Sequence, residues 1–381
     1  MYNNIEKKYH FIFSFWIMVP LLVEVVQVYT MGKGALYTIL LNIVGLLCSL
    51  YTIRKDIRVT DFKPLFFIYL FYIGNYLLFP QNNKYFLETS VYILLFIYLP
   101  IGALVVRKIT DWGGFFDVFK WFSFIAVLCG VFITMLSQVE ILAEFFSYMD
   151  FSYFIIPFIG GCYIAFRRNR YFKWLYLFMT LLGLFEILIY GARGAVLFVL
   201  LFIVLFEFFE ERKKGLFKLI VLTLSLLIIW QFLPLVVEGL SHIPELSNSR
   251  FLTKLMDSEL LESQGREIVY LNAENRLSSM GLEIAGLFGD RQYNDGFWPH
   301  NYFYEIWMQM GWIFGTVIII ATLILFYKSI WKTKWSSVAL FFIVIFFGRY
   351  IVSGSYAIEG RFWFMIFALS AIVNPYKKYA K

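Results

Sequence analysis

The chain of 381 residues is 61% hydrophobic, 22% aromatic and only 15% charged, and its mean hydropathy is +0.72. Soluble domains carry about a quarter charged residues, and this much apolar surface exceeds what one core can bury. The composition therefore excludes a soluble globular protein, and the net charge of +7 is not a signal for nucleic acid. We predict an all-α, polytopic membrane protein, because uninterrupted apolar runs such as 216–234 lack the alternation of barrel strands.

Hydropathy predicts about twelve transmembrane helices. In chain order they cover residues 10–29, 35–53, 64–80, 88–106, 118–137, 151–166, 171–190, 194–209, 216–234, 302–327, 335–352 and 361–375. The chain then divides into an N-terminal set of about nine helices (1–234), one large loop (235–301) and a C-terminal set of about three helices (302–381).

Basic residues alternate between the connections, and 23 of the 33 Lys and Arg residues fall in one set of them. By the positive-inside rule that set is cytoplasmic. Both termini are then cytoplasmic, and the 235–301 loop is extracytoplasmic. We expect the cytoplasmic, inner membrane of a bacterium as the location.

The large loop has two stretches with helix-like apolar spacing, 251–263 and 266–287, followed by the turn-rich segment 288–301. It is too apolar and too periodic for a disordered linker. We predict a small helical cap over the outer face of the bundle.

Arginines are few in the outward-facing segments, so each one is informative. The planar guanidinium group suits a diphosphate, because it binds two oxygens at once and keeps its charge. The alternative for each is an interfacial side chain whose head reaches water. The candidates are Arg193, Arg266, Arg276, Arg291, Arg349 and Arg361.

His300 stands where the loop enters the tenth predicted helix, in the sequence WPHNY. A histidine there is either a general base or a packing residue at a helix start, with Asn301 as the N-cap. Glu305, one turn later, either orients His300 or caps the helix. The nearby aromatic residues either stack on sugar rings or form an interfacial belt; they are Tyr293, Phe297, Trp298 and Tyr302.

Other chemistry is not indicated. The sequence contains no Cys/His cluster, no HExxH motif and no glycine-rich phosphate loop, so we expect no metal and no cofactor. The acids Glu24 and Glu186 within apolar runs form either a proton path or hydrogen bonds between helices. The three cysteines lie in apolar runs and suggest no disulfide framework.

These features together resemble the O-antigen polymerase and O-antigen ligase family of bacterial surface-polysaccharide assembly. The resemblance rests on the large outer loop, on Arg193-Gly194 opening a helix and on Gly265-Arg266 before a loop helix. It also rests on PHNYFYEIWMQMGWIFG at 299–315, a His-Asn pair followed by aromatic residues, an acid and two spaced glycines.

The resemblance implies a GT-C-like helical bundle and a metal-independent glycosyltransferase that takes its glycan from polyprenyl diphosphate. Arg193 and Arg266 would hold the diphosphate, and His300 would act on the acceptor hydroxyl. Arg291, Arg349, Arg361, Asn301, Glu305, Tyr293 and Trp298 would line the substrate site. The partners are then a lipid-linked donor and acceptor, membrane lipid, a chain-length regulator and a flippase.

We favour a polymerase of O-antigen or capsular polysaccharide, because the chain is lean with a compact loop. One alternative is a ligase that joins the glycan to lipid A core or to protein. Another is a flippase for the lipid-linked repeat unit, which would depend on buried acids such as Glu24 and Glu186. A purely structural membrane component is the third.

Overall fold

The structure is a computed structural model that describes residues 2–30, 33–137, 148–190, 192–210 and 266–376. These residues form helices and turns, and none of them lies in a β-strand. Six of the helices are long and apolar enough to cross a membrane, and up to seven if one bent pair counts as a single span. The chain is therefore an all-α protein with the long apolar helices of a membrane protein.

The α-helices follow one another with short connections outside the gaps in the description. They are α1 (Tyr2–Tyr29), α2 (Ala35–Ile53), α3 (Lys63–Leu78), α4 (Asn83–Phe86), α5 (Thr89–Ile93), α6 (Leu99–Leu104), α7 (Trp112–Ser137), α8 (Tyr148–Arg168), α9 (Lys173–Tyr190), α10 (Arg193–Glu210), α11 (Arg266–Ser279), α12 (Tyr302–Trp331), α13 (Ser336–Leu340), α14 (Gly348–Val352) and α15 (Gly360–Val373). Two π-helical segments, Leu94–Tyr98 and Phe341–Phe347, join α5 to α6 and α13 to α14.

Residues 1–13, 44–112 and 263–381 form one compact unit, which we call the site unit. Helix α15 packs in it against α6, α12 and the Phe341–Phe347 segment. Four aromatic rings form a cluster in its core. The Phe342 ring lies 6.0 Å from that of Phe13 and 5.4 Å from that of Trp112, and the Phe364 ring lies 5.4 Å from that of Phe13.

The described residues within 14–43 and 113–262 form the second unit. Helix α8 packs along α9 in it. Glu207 of α10 pairs with Arg167 of α8 at 2.6 Å and accepts a hydrogen bond from Tyr163 at 2.8 Å. Glu186 of α9 is buried, and neither of its carboxylate oxygens has a hydrogen-bond partner among the described residues.

The structure tests some of the predicted helices and does not describe others. The count of twelve transmembrane helices stays a prediction, because the described residues supply six or seven candidate spans. The predicted span 216–234 and the predicted loop helix 251–263 both lie outside the described residues. The predicted loop helix 266–287 ends early, at Ser279. The reason is that Gly281 and Gly286 adopt φ of +56° and +77°, which a right-handed helix cannot contain.

The site unit has two polar ends separated by its apolar helices. At one end Lys108 pairs with Asp61, Tyr376 donates to Asp61 at 3.0 Å, and Lys8 pairs with Asp56. At the other end the segment 285–301 contacts two connections, the one between α3 and α5 and the one between α14 and α15. The second end, the site end, carries most of the candidate residues.

Candidate functional site

Side-chain amides join the connection after α3 to the loop segment. Asn75 Oδ1 accepts from the backbone N–H of Leu287 at 2.8 Å. Asn82 is fully buried, and its Nδ2 donates to the carbonyl oxygens of Ala285 and Leu287 at 2.8 and 2.9 Å. Because these bonds satisfy buried backbone groups, they fix the loop on the helical scaffold.

The backbone of the segment 288–300 is unusual. Three non-glycine residues of the described chain have φ in the left-handed region, and all three lie here: Phe288 (66°), Asp295 (51°) and His300 (53°). Such conformations cost free energy for L residues and persist where the surroundings determine them, frequently at functional sites. Asn301 follows as the N-cap of α12, which is what the packing alternative stated, because its side chain accepts from the N–H groups of Phe303 and Tyr304.

The half-buried His300 is fixed by the connection between α14 and α15. Its Nδ1 donates to the carbonyl oxygen of Ser353 at 2.9 Å, and the indole N–H of Trp298 donates to the same oxygen at 2.8 Å. The two rings pack edge to face at 5.5 Å. A neutral imidazole that carries its proton on Nδ1 has Nε2 as its basic nitrogen, so this geometry selects the tautomer in which Nε2 can take a proton.

Two arginines flank the same connection, Arg349 in α14 and Arg361 in α15. The carbonyl oxygen of Arg349 accepts from the N–H groups of Ser353 and Gly354 at 2.7 and 3.0 Å. Arg361 is the second residue of α15 and is 94% buried, with a relative exposure of 6%. Their guanidinium groups lie close enough for the two charges to repel, and one carboxylate, Glu359, lies 3.4 Å from Arg349 Nε.

A pair of buried carboxyl groups lies beside this connection. Asp290 and Glu305 are almost completely buried, with exposures of 0% and 1%. Gln309 Nε2 donates to Asp290 Oδ1 at 2.6 Å and lies 3.5 Å from Glu305 Oε1, which also accepts from the Ser355 hydroxyl. Asp290 Oδ2 and Glu305 Oε2 have no hydrogen-bond partner among the described residues. Burial raises the pKa of Asp290 to about 6, against the opposing effects of Gln309 and the Arg291 charge.

The charge of Arg291 acts on both members of the carboxyl pair. Its Nη1 donates to Glu88 Oε1 at 2.5 Å, and its guanidinium group lies 5.0, 5.0 and 5.4 Å from the rings of Tyr85, Phe288 and Trp298. The side chain is 3% exposed, and Nη2 has no hydrogen-bond partner among the described residues. Three rings and one carboxylate therefore hold this cation in a single orientation.

The structure brings together seven of the ten predicted site residues. Those at the site end are Trp298, His300, Asn301, Glu305, Arg291, Arg349 and Arg361. Tyr293 is more exposed and lies under Arg276, whose guanidinium carbon is 4.3 Å from the ring. Arg193 is the first residue of α10, in the second unit, and Arg266 is the first residue of α11; their side chains lie outside the described part of the chain.

Several polar residues of the site were not predicted. They are Asn82, Glu88, Asp290, Gln309, Ser355, Tyr356 and Glu359. Gln309 could have been predicted from the sequence, because it lies four residues after Glu305 in an apolar run and so falls on the same helical face. Asp290 could not have been predicted, since an aspartate in a turn-rich segment is ordinarily solvated.

Comparison of the chain with family models, with curated proteins and with solved structures gives no match. The case for its function therefore rests on the chemistry of the site and on the sequence pattern.

Proposed function

We propose that the chain is a multi-pass glycosyltransferase of a bacterial cytoplasmic membrane that polymerises a surface polysaccharide. Its donor and acceptor are glycans carried on polyprenyl diphosphate at the outer leaflet. In this proposal about twelve helices form a GT-C-like bundle, both termini are cytoplasmic and the 235–301 loop is extracytoplasmic. A flippase supplies the lipid-linked units, and a chain-length regulator is a further partner.

The distribution of charge supports an outer location for the site end. Lys8, Arg58 and Lys108 belong to the opposite end of the site unit, where the cation–carboxylate pairs Lys8–Asp56 and Lys108–Asp61 lie. Across the sequence, 23 of the 33 basic residues fall in the connections assigned to that side. Cytoplasmic connections carry this excess of Lys and Arg in membrane proteins, which supports an outer location for the site end.

The observation that carries the proposal is that the connection between α14 and α15 binds His300 and is flanked by two arginines, the buried Arg361 and the largely buried Arg349. The carbonyl oxygen of Ser353 accepts from His300, its N–H donates to the backbone carbonyl oxygen of Arg349, and Arg361 follows eight residues later. Transfer from a polyprenyl diphosphate needs a base for the incoming hydroxyl and positive charge for the departing phosphate. His300 would supply the base, and Arg349 and Arg361 would supply the positive charge.

In the proposed reaction His300 Nε2 takes the proton of an acceptor hydroxyl, whose oxygen bonds to the anomeric carbon of the donor. The bond from that carbon to the diphosphate oxygen breaks, and its electron pair leaves with the diphosphate. Arg349 and Arg361 balance the charge that develops on the departing oxygen. The products are a lengthened lipid-linked glycan and free polyprenyl diphosphate, with inversion at the anomeric centre. Arg193 and Arg266 remain further candidates for the diphosphate.

The test is the polysaccharide ladder of a strain lacking the protein, complemented with single variants at equal protein level. His300→Asn suits the first variant, because asparagine tolerates the left-handed backbone and can still donate to Ser353. We expect polymerisation to slow by about 10²- to 10⁴-fold, the contribution of a general base. We expect a loss of about 10²- to 10³-fold for Arg349→Ala, the contribution of one oxyanion-stabilising group.

Arg276→Ala is the control, because Arg276 is another arginine of the site unit but pairs at 2.9 Å with Glu283, a carboxylate whose side chain is 68% exposed. It should leave the ladder unchanged. Single repeat units on the cell surface of the variants indicate a polymerase, whereas long chains left on the polyprenol carrier indicate a ligase. Repeat units trapped at the inner leaflet would replace the proposal with a flippase, and full-length polymer from both variants would leave only a structural role.

A further inference from the structure

A polar pocket opens at the site end beside Arg291. Its volume is about 600 Å³, which is in the usual range for small-ligand sites. Most such sites are lined by apolar side chains, whereas six polar or charged side chains surround a single aromatic ring here. Around Tyr85 they are Gln81, Lys84, Glu88, Arg291, Gln292 and Asp295.

The inner wall of the pocket is preorganised. Arg291 is held by Glu88 and three rings, and its Nη2 still lacks a hydrogen-bond partner among the described residues. The ring of Tyr85 lies between two cations, with Lys84 Nζ at 4.8 Å and the Arg291 guanidinium at 5.0 Å. Gln292 Nε2 donates to the buried Asn82, which fixes that side chain too. Rigid groups of this kind bind a ligand with little further loss of entropy.

The charges of the lining define the ligand. Two cations (Lys84 and Arg291) and two anions (Glu88 and Asp295) sum to zero, so a phosphate or other anion would face two carboxylates. A lipid chain would strip water from six polar side chains without replacing their hydrogen bonds. An uncharged ligand rich in hydroxyl groups meets neither penalty, because each hydroxyl both donates and accepts.

The pocket is connected to the proposed base through one ring. Trp298 lies 5.4 Å from the Arg291 guanidinium on one side and packs on His300 at 5.5 Å on the other. One aromatic ring therefore links a lining residue of the pocket to the histidine. We propose that the pocket is a saccharide subsite that binds an uncharged sugar residue of the acceptor glycan. The assignment to the acceptor rests on the proposed function; the binding of a saccharide does not.

Photo-cross-linking in the native cells tests the subsite without knowledge of the sugar. The photoreactive residue p-benzoylphenylalanine replaces Gln81, or Lys84 in a second variant, since both side chains are exposed at the pocket rim. The same residue in place of Val59, which is 88% exposed at the opposite end of the site unit, is the matched control. The purified protein is digested, and adducts are identified by mass and by periodate-dependent labelling of carbohydrate.

We expect a light-dependent carbohydrate adduct at position 81 or 84 and none at position 59. Adding Asp295→Asn, which keeps the left-handed backbone but removes one charge, should weaken the adduct about tenfold, the affinity carried by one hydrogen bond to a charged group. No adduct at either rim position, equal adducts at position 59, or an adduct of lipid or phosphate alone would overturn the proposal.

The result is separable from that of the proposed function. A carbohydrate adduct with an unaffected ladder in the His300 and Arg349 variants would keep the subsite and end the polymerase proposal. Loss of the ladder in those variants without any carbohydrate adduct would support the polymerase proposal and overturn the subsite. If both hold, the adduct in the His300→Asn strain should carry a single repeat unit.

Discussion

At the scale of single residues, the carboxyl pair Asp290–Glu305 is the least expected feature of the site. The hydrogen bonds of Gln309 and Ser355 satisfy one oxygen of each group and leave the other without a partner among the described residues. Charge in such a place is costly, because neither water nor a full set of donors replaces its solvation. For Asp290, which lies outside the membrane helices, burial raises the pKa to about 6.

This shift predicts a pH dependence of stability. The folded state holds the Asp290 proton more tightly than the unfolded chain, so the stabilisation is complete below the ordinary pKa and is lost as the pH rises through about 6. The purified protein should therefore unfold at lower temperature at neutral pH than at mildly acidic pH. Asp290→Asn keeps the acceptor for Gln309, and we expect it to be about 1–3 kcal/mol more stable than the natural protein at neutral pH.

Thermal unfolding in detergent, followed by tryptophan fluorescence at several pH values, measures both effects. Asp295→Asn is the control, since it makes the same chemical change at an exposed position. A variant Asp290→Asn whose stability follows the same pH curve as the natural protein would show that Asp290 is ionised in the fold without penalty.

Sequence reasoning found the arginines and the histidine of the site but not their partners. Arg291, Arg349 and Arg361 were visible because arginine is rare in outward-facing segments. The three rings around Arg291 come from residues 85, 288 and 298, and no local pattern connects them. His300 was predicted as either a base or a packing residue. Its bond to Ser353 depends on a contact across 53 residues, which periodicity does not reveal.

At the scale of elements, α12 is broken at Gly311. Its 30 residues would span about 45 Å as one straight helix, more than a bilayer core needs. Gly311 has φ of 71°, and the N–H of Gly286 donates to the carbonyl oxygen of Gln309 at 2.8 Å just before the break. The break separates a short first segment, which carries Glu305 and Gln309 into the site, from the apolar remainder.

Replacing Gly311 tests the importance of this break. A Cβ there would lie 2.6 Å from the carbonyl oxygen of Glu283, in a backbone conformation that L side chains rarely adopt. We expect Gly311→Ala to destabilise the protein by about 2–4 kcal/mol and to reduce polymer formation. Gly74→Ala in α3 is the matched control, because a Cβ there meets no atom within 4 Å. It should be neutral or stabilising by up to about 1 kcal/mol. Equal unfolding temperatures for the two variants would contradict the role of Gly311.

Element positions were predictable where hydropathy alone decides them, and less so at bends. The predicted run 88–106 corresponds to the continuous helical stretch Thr89–Lys108. The run 64–80 ends instead in a bend of 100° before Pro80, and the segment that follows turns toward the loop through Asn82. Such a bend depends on tertiary hydrogen bonds, whereas hydropathy reports only the length of apolar sequence.

At the scale of the whole molecule, two patterns derived from different physics agree. The contacts of the site unit group its connections at two ends. The sequence divides the same connections into one set that is rich in Lys and Arg and one set that is poor in them. The first pattern comes from packing and the second from the energetics of insertion. Their agreement is the reason to expect that the site end faces away from the cytoplasm.

Cysteine labelling in whole cells tests this orientation directly. A background with Cys48, Cys129 and Cys162 replaced by Ala has no native thiol, and Lys84→Cys or Val59→Cys adds one exposed thiol at the site end or at the opposite end. A membrane-impermeant maleimide should label position 84 in intact cells, whereas position 59 should react only after permeabilisation. The reverse pattern would put His300 on the cytoplasmic side, where flipped lipid-linked glycans are absent, and the polymerase proposal would fail.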